Sequence, residues 1–151
     1  MKLLRYIVAA SIAANAASVY SREFVVLVGT TSDSEGTPAN TFVPNHLPNV
    51  AGDAVQPGDI ITFQNVFAAG FHNARSIDAE FPFSCGSGGC ASSAPASGLW
   101  TSSVTVPVSA AGRTIRYQCD AHGNASAGTG MIGSIDVSTT TPVLLQSFEV
   151  E

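Results

Sequence analysis

From residue 24 onward the chain is built of short apolar or alternating runs, separated by clusters of Gly, Pro, Asn, Asp and Ser. No stretch in this part repeats apolar residues at a helical interval, so an all-β sandwich is expected. Strands are expected over residues 24–28, 41–43, 60–64, 103–106, 114–119 and 132–137. The stretch "VQPGD" ahead of Ile60 and "SAAG" ahead of Arg113 supply turns at strand entries. Within "TIRYQC", Thr114, Arg116 and Gln118 fall on one face and Ile115, Tyr117 and Cys119 on the other. The Cys119 thiol is therefore expected to point inward, where the strand gives way to a loop.

Two stretches depart from this pattern. Residues 84–98, "SCGSGGCASSAPASG", are poor in bulky side chains and read as a loop, with Trp100 beyond it as a core anchor. Its glycines do not make a phosphate cradle, because no Lys follows in place and no helix opens there. At the start, Lys2 and Arg5 precede an apolar run from Tyr6 to Ala13, and Ala14 and Ala16 are placed for cleavage. Residues 1–16 read as a signal peptide, too short in their apolar run to span a bilayer. Residues 17–37 are then an N-terminal strand and connection. Residues 138–151 form a tail whose Val143, Leu144, Leu145, Phe148 and Val150 suit an edge strand better than a solvated end.

A chain of 151 residues is long enough for one core and one site. Its formal charge is −5, and loss of Lys2 and Arg5 would leave four basic residues against eleven acidic ones, a charge of −7. That sign disfavours nucleic acid and anionic lipid, and no later segment is suited to membrane insertion. The acidic residues Asp53, Asp59, Asp78, Glu80 and Asp120 are dispersed and read as members of solvated loops, with no spacing that marks an acid/base pair. His46 reads as a surface or capping residue, and Asn124 opens a glycosylation sequon relevant only to a eukaryotic secretory route.

The three cysteines divide unevenly. Cys85 and Cys90, in "CGSGGC", suit a short-loop disulfide in an exported chain, since no further Cys or His lies nearby to complete a metal site. Cys119 is left over, with His122 three residues on and Met131 nine beyond that; His72 comes from "FHNA", read as a strand end. Taken singly, His72, Cys119 and Met131 would be ordinary buried residues and His122 a solvated one. Together, a thiolate, two imidazoles and a thioether form a soft set. It favours one copper ion, cycling between Cu(I) and Cu(II), over calcium, magnesium or structural zinc.

The same residues carry a family resemblance. "VQPGDIITFQN", "FHNA" and "RYQCDAHG" followed by "GTGMIGSIDV" occur in the order of a plastocyanin-like cupredoxin, over residues 38–137. The resemblance implies a single-domain Greek-key β-sandwich with a type 1 copper site. Its ligands would be His72, Cys119, His122 and Met131, and Asn73 would tie the two ligand segments together from behind. The disulfide loop ahead of Trp100 is similar to that of bacterial members. Eight residues separate His122 from Met131, more than is usual in the family, as if "NASA" had been inserted.

The function implied is an exported electron carrier, periplasmic or secreted, rather than an enzyme. It would be a monomer that docks transiently with redox proteins at the exposed edge of His122, ringed by Gly123, Ala125 and Ala127. Copper storage or delivery and a metal-free interaction domain are the competing readings. A self-contained oxidase or nitrite reductase is disfavoured, because the sequence has three histidines and no His-x-His pair from which to build additional copper centres.

Overall fold

The computed structural model describes residues 21–31, 38–48 and 53–139. The signal peptide expected at residues 1–16 and the tail beyond residue 139 lie outside the described residues. Among the described residues nine strands form two facing sheets: β1 (Glu23–Thr30), β2 (Pro38–Val43), β3 (His46–Leu47), β4 (Ile60–Asn65), β5 (Ala74–Ser76), β6 (Ser84–Cys85), β7 (Trp100–Thr105), β8 (Thr114–Asn124) and β9 (Thr129–Asp136). One sheet runs β2-β1-β4-β7 and the other β3-β9-β8-β5-β6. The chain passes repeatedly from one sheet to the other, so that β1 pairs with β4 in parallel, and β3 with β9 likewise. This is the all-β sandwich that the sequence pattern predicts, of the Greek-key type that the resemblance implies.

The alternating pattern decides which side chains meet between the sheets. Phe24, Val26 and Val28 of β1, Ile61 and Phe63 of β4, and Ile115, Tyr117 and Cys119 of β8 are all buried. Tyr117 packs edge-on against Phe42 and Phe63, with ring centroids 4.8 and 5.3 Å apart, and Phe83 continues the cluster toward Phe81. Trp100 is buried as a core anchor and opens β7.

Several elements differ from the sequence expectation. Strands β3, β5 and β6 go beyond the sequence expectation, because two or three residues carry no readable period and are defined by pairing, β3 with β9, β5 with β8 and β6 with β5. Strand β7 begins three residues earlier than expected, at Trp100, and β8 runs on to Asn124. His72 does not end a strand. It stands two residues before β5, in an isolated bridge to Ala96.

The acidic residues are also less solvated than their dispersal suggests. Asp59 is 3% exposed. Its carboxylate accepts from the Arg22 guanidinium at 2.7 Å, from the Arg22 amide at 3.0 Å and from the Gln56 amide at 2.8 Å. The Pro-Gly turn places these donors around it, and burial is tolerated because the charge is paired and bonded. Asp78, mostly buried, pairs with Arg116 at 2.6 Å and accepts the Arg116 amide at 2.7 Å.

Two predictions follow from these pairs. Asp59→Ala should lower stability to urea by about 2 kcal/mol, because it leaves the Arg22 and Gln56 amide donors without their acceptor and removes one of the two carboxylates that pair with the Arg22 guanidinium. The Arg116 hydrogen bond, outweighing burial, holds the Asp78 carboxyl below its ordinary value of 3.8. Its stabilising contribution is therefore complete above that ordinary value and is lost as the pH falls through the lowered one. The stability gap between wild type and Asp78→Asn, read by urea denaturation, should be full at pH 7 and close on acidification to about pH 2.

Candidate metal centre

Strand β8 changes character at Gln118. Up to that point it pairs regularly with β9, and the last regular pair is Gln118 with Ile132; pairing resumes at Gly123 with Gly130. Residues 119–122 on β8 therefore stand opposite Met131 alone on β9. A bulge of this size bends the strand and re-aims its side chains. Here it turns both Cys119 and His122 to the same side.

The bulge survives because its neck is narrow. A Cβ on Gly123 would collide with the Met131 carbonyl, and one on Gly130 with the His122 carbonyl. Beyond the neck, the chain continues as a hairpin extension, pairing Asn124 with Thr129. Its turn is fastened by the Ala127 amide, which donates to the Asn124 side-chain oxygen at 3.1 Å. The Ala125 amide donates to Gln118 Oε1 at 2.8 Å. The extra small residues between His122 and Met131 thus project as a hairpin tip. Met131 is returned to the base of the bulge, buried in the core.

His72 arrives from the opposite side of β5. Cys119 Sγ lies 3.9 Å from His72 Nδ1 and 3.5 Å from His122 Nδ1. All three donor atoms lie within 4.8 Å of one another. The two imidazoles face each other at 4.9 Å between centroids. Cys119 and His72 are buried and His122 is half-buried. The thiol also lies 3.8 Å from the Phe71 carbonyl oxygen.

These separations fit one metal ion. A thiolate about 2.3 Å and an imidazole about 2.0 Å from a shared ion, at roughly trigonal to tetrahedral angles, stand about 3.5–3.7 Å apart. Burial, reinforced by repulsion from His122, lowers the His72 pKa, which favours the neutral ring that can offer a lone pair. Two nitrogens and one soft sulfur suit copper or zinc, and are a poor set for the oxygen-loving cations.

Asn73 and Asp120 join the two ligand segments. The Asp120 amide donates to Asn73 Oδ1 at 2.8 Å, and Asn73 Nδ2 donates back to Asp120 Oδ2 at 2.9 Å. Arg75 Nε reaches Asp120 Oδ1 at 2.6 Å and Gln118 Nε2 reaches it at 3.3 Å. Burial by itself would raise the Asp120 carboxyl, but the bonds from Asn73, Arg75 and Gln118 together outweigh it and hold the carboxyl below its ordinary value. Asp120 is thus a structural partner of the site, where its sequence position suggested a solvated loop residue.

Two glycines that the sequence did not single out shape the pocket for His72. A Cβ on Gly29 would sit 2.8 Å from His72 Cδ2 and 2.9 Å from Nε2, and Gly70 abuts the same ring edge. Gly70 stands two residues before His72, a visible hint of close approach. Gly29 comes from β1 and carried no such signal. His46 lies away from this group, with Nδ1 2.9 Å from Ser134 Oγ and its ring exposed. Ala125, expected at the rim near His122, is buried at the edge of the hairpin.

No protein-family model matches the chain, and no curated protein sequence matches it. Solved structures similar to it include a pseudoazurin from Sinorhizobium meliloti, 22% identical, covering 78% of this chain and 74% of that one with a TM-score of 0.43. A pseudoazurin from Methylobacterium extorquens is 17% identical, covering 80% and 78%, and a mutant plastocyanin of fern is 23% identical, covering 76% and 100%, each again at a TM-score of 0.43. At this distance the geometry above, and not the likeness, has to carry the functional reading.

Gly29→Ala tests the packing around His72. Gly29 has φ +79°, so a side chain there meets both backbone strain and the imidazole edge. The variant should lose about 1–3 kcal/mol of stability and shift the His72 ring resonances in NMR spectra of the metal-free protein.

Proposed function

We propose that this chain is an exported type 1 copper protein that passes single electrons between redox proteins and transforms no substrate itself. The observation that carries this reading is the convergence of His72 Nδ1 and His122 Nδ1 on Cys119 Sγ, at 3.9 and 3.5 Å, between the two sheets, with Met131 directly across the bulge. His72, Cys119, His122 and Met131 would hold the ion. When bound in such a set, copper supplies a one-electron couple between Cu(I) and Cu(II).

The protein's own contribution is preorganisation. The bulge, the Asn73–Asp120 bonds and the glycines against His72 fix the donors, so that little has to move when charge changes. Burial of Cys119 and His72 excludes water from the thiolate, while His122 reaches partly to the surface. Phe71, 54% exposed beside His72, adds an apolar contact for a partner that docks there briefly. Export to the periplasm or beyond rests on residues 1–16, and the chain is taken to act as a monomer. Among the described residues no helix is long and apolar enough to cross a membrane.

The reading is tested by titrating the reduced, metal-free protein with Cu(II) while recording visible absorption and EPR. One equivalent should produce an intense thiolate-to-copper band with narrow hyperfine splitting, and Met131→Leu should shift both without abolishing them. Cys119→Ser should remove the band entirely. Because binding needs a thiolate and neutral imidazoles, apparent affinity should fall as the pH is lowered. A wild-type protein that takes up Cu(II) without that band would not be a type 1 carrier.

A further inference from the structure

The glycine-rich segment between β6 and β7 contributes no ligand, yet it is bonded to the ligand segment at three points. Cys85 and Cys90 are joined by a disulfide across five positions of sequence. A ring this short lies at the low end of the stabilisation expected from restricting the unfolded chain. Its local effect is larger. Gly86 and Gly89 exchange both backbone hydrogen bonds inside it, at 2.9 and 3.1 Å, and the Ser84 amide donates to the Cys90 carbonyl at 3.0 Å.

The ring in turn fixes Ser93. The Ser93 amide donates to the Ser84 carbonyl at 2.9 Å, Ser84 Oγ donates to the Ser93 carbonyl at 2.7 Å, and Ser93 Oγ donates to the Gly89 carbonyl at 2.8 Å. That same Ser93 carbonyl accepts from Asn73 Nδ2 at 3.1 Å. Three residues on, Ala96 exchanges both backbone bonds with His72, at 3.1 and 3.0 Å. His72 precedes β5 and has no regular strand partner, so its backbone is held in place by Ala96.

We propose that the Cys85–Cys90 ring and residues 91–96 form a strap that positions His72 and Asn73, with Ser84 and Ser93 as positioning residues for the metal centre. The proposal rests on the reading of His72, Cys119 and His122 as that centre. Removing a disulfide that merely stabilised the sandwich would lower its melting temperature and leave the ligand geometry alone. A strap does more: the first imidazole is held by a segment closed by a covalent bond, and slack in that segment reaches the site through two backbone bonds and one side-chain amide.

The experiment compares wild type, the double variant Cys85→Ala/Cys90→Ala, and Ser84→Ala, in which the disulfide remains but the bond to the Ser93 carbonyl is lost. Amide hydrogen exchange is measured on the metal-free proteins, and Cu(I) affinity by competition with a colorimetric chelator. The strap predicts several-fold faster exchange at the His72 and Ala96 amides relative to Val26 and Ile61 of the core, in both variants. It also predicts a Cu(I) affinity lowered roughly 10- to 100-fold in the double variant and by less in Ser84→Ala. Unchanged exchange at His72 and Ala96, with or without a lower melting temperature, would overturn it. If the double variant does not fold, Ser84→Ala decides by the same readout. If wild type fails to bind Cu(I), the metal reading falls, while exchange in the metal-free proteins still decides whether the strap holds His72.

Discussion

The arrangement depends on one reciprocal pair of hydrogen bonds, between the Asn73 carboxamide and the Asp120 amide and carboxylate. Asn73 follows His72, and Asp120 follows Cys119, so this pair ties together the two stretches that bring imidazole and thiol face to face. The regular pairing of β5 with β8 covers only Arg75 and Ser76 and stops short of His72 and Cys119, so this pair of bonds carries the join up to them. The carboxylate is anchored in turn by Arg75, and the carboxamide by Ser93. Every member of this small network has a partner, which is the condition under which buried polar groups rigidify a site rather than weaken it.

Around that tie, the sandwich solves a steric problem by bending one strand and thinning its neighbours. Two imidazoles and a thiol need more room than two flat strands leave between them. The room comes from the bulge in β8 and from glycines whose missing side chains admit the His72 ring. The aromatic cluster of Phe42, Phe63, Phe83 and Tyr117 fills the space below and keeps the strand that carries Cys119 from shifting inward. Tyr117 is part of this packing and not of the chemistry. Its hydroxyl is buried with no hydrogen-bond partner among the described residues, and burial raises its pKa well above the usual phenol range.

Much of this was readable from the chain because it is local. Alternation in "TIRYQC" places Ile115, Tyr117 and Cys119 inward without reference to any other segment. The grouping of Cys119, His122 and Met131 follows from short spacing, and Trp100 declares itself by size. What stayed hidden depends on residues distant in sequence. Strands β5 and β6 are too short to have a period: β5 exists because β8 is there to pair with, and β6 because β5 is. Asp59 looks like a turn residue until Arg22 folds over it. Gly29 has no visible task until β1 lies beside His72.

The hairpin between His122 and Met131 separates loop length from site geometry. Because Gly123 already pairs with Gly130, residues further out make their own ladder, and the distance the chain travels through the tip does not alter where it returns. Additions of paired residues at positions 124–129 would lengthen an arm above the sandwich while leaving its base untouched. A segment that in the bare sequence looked like an interruption of the ligand series is therefore a place where the surface near the site can change shape, bulk or chemistry independently of the donors beneath it.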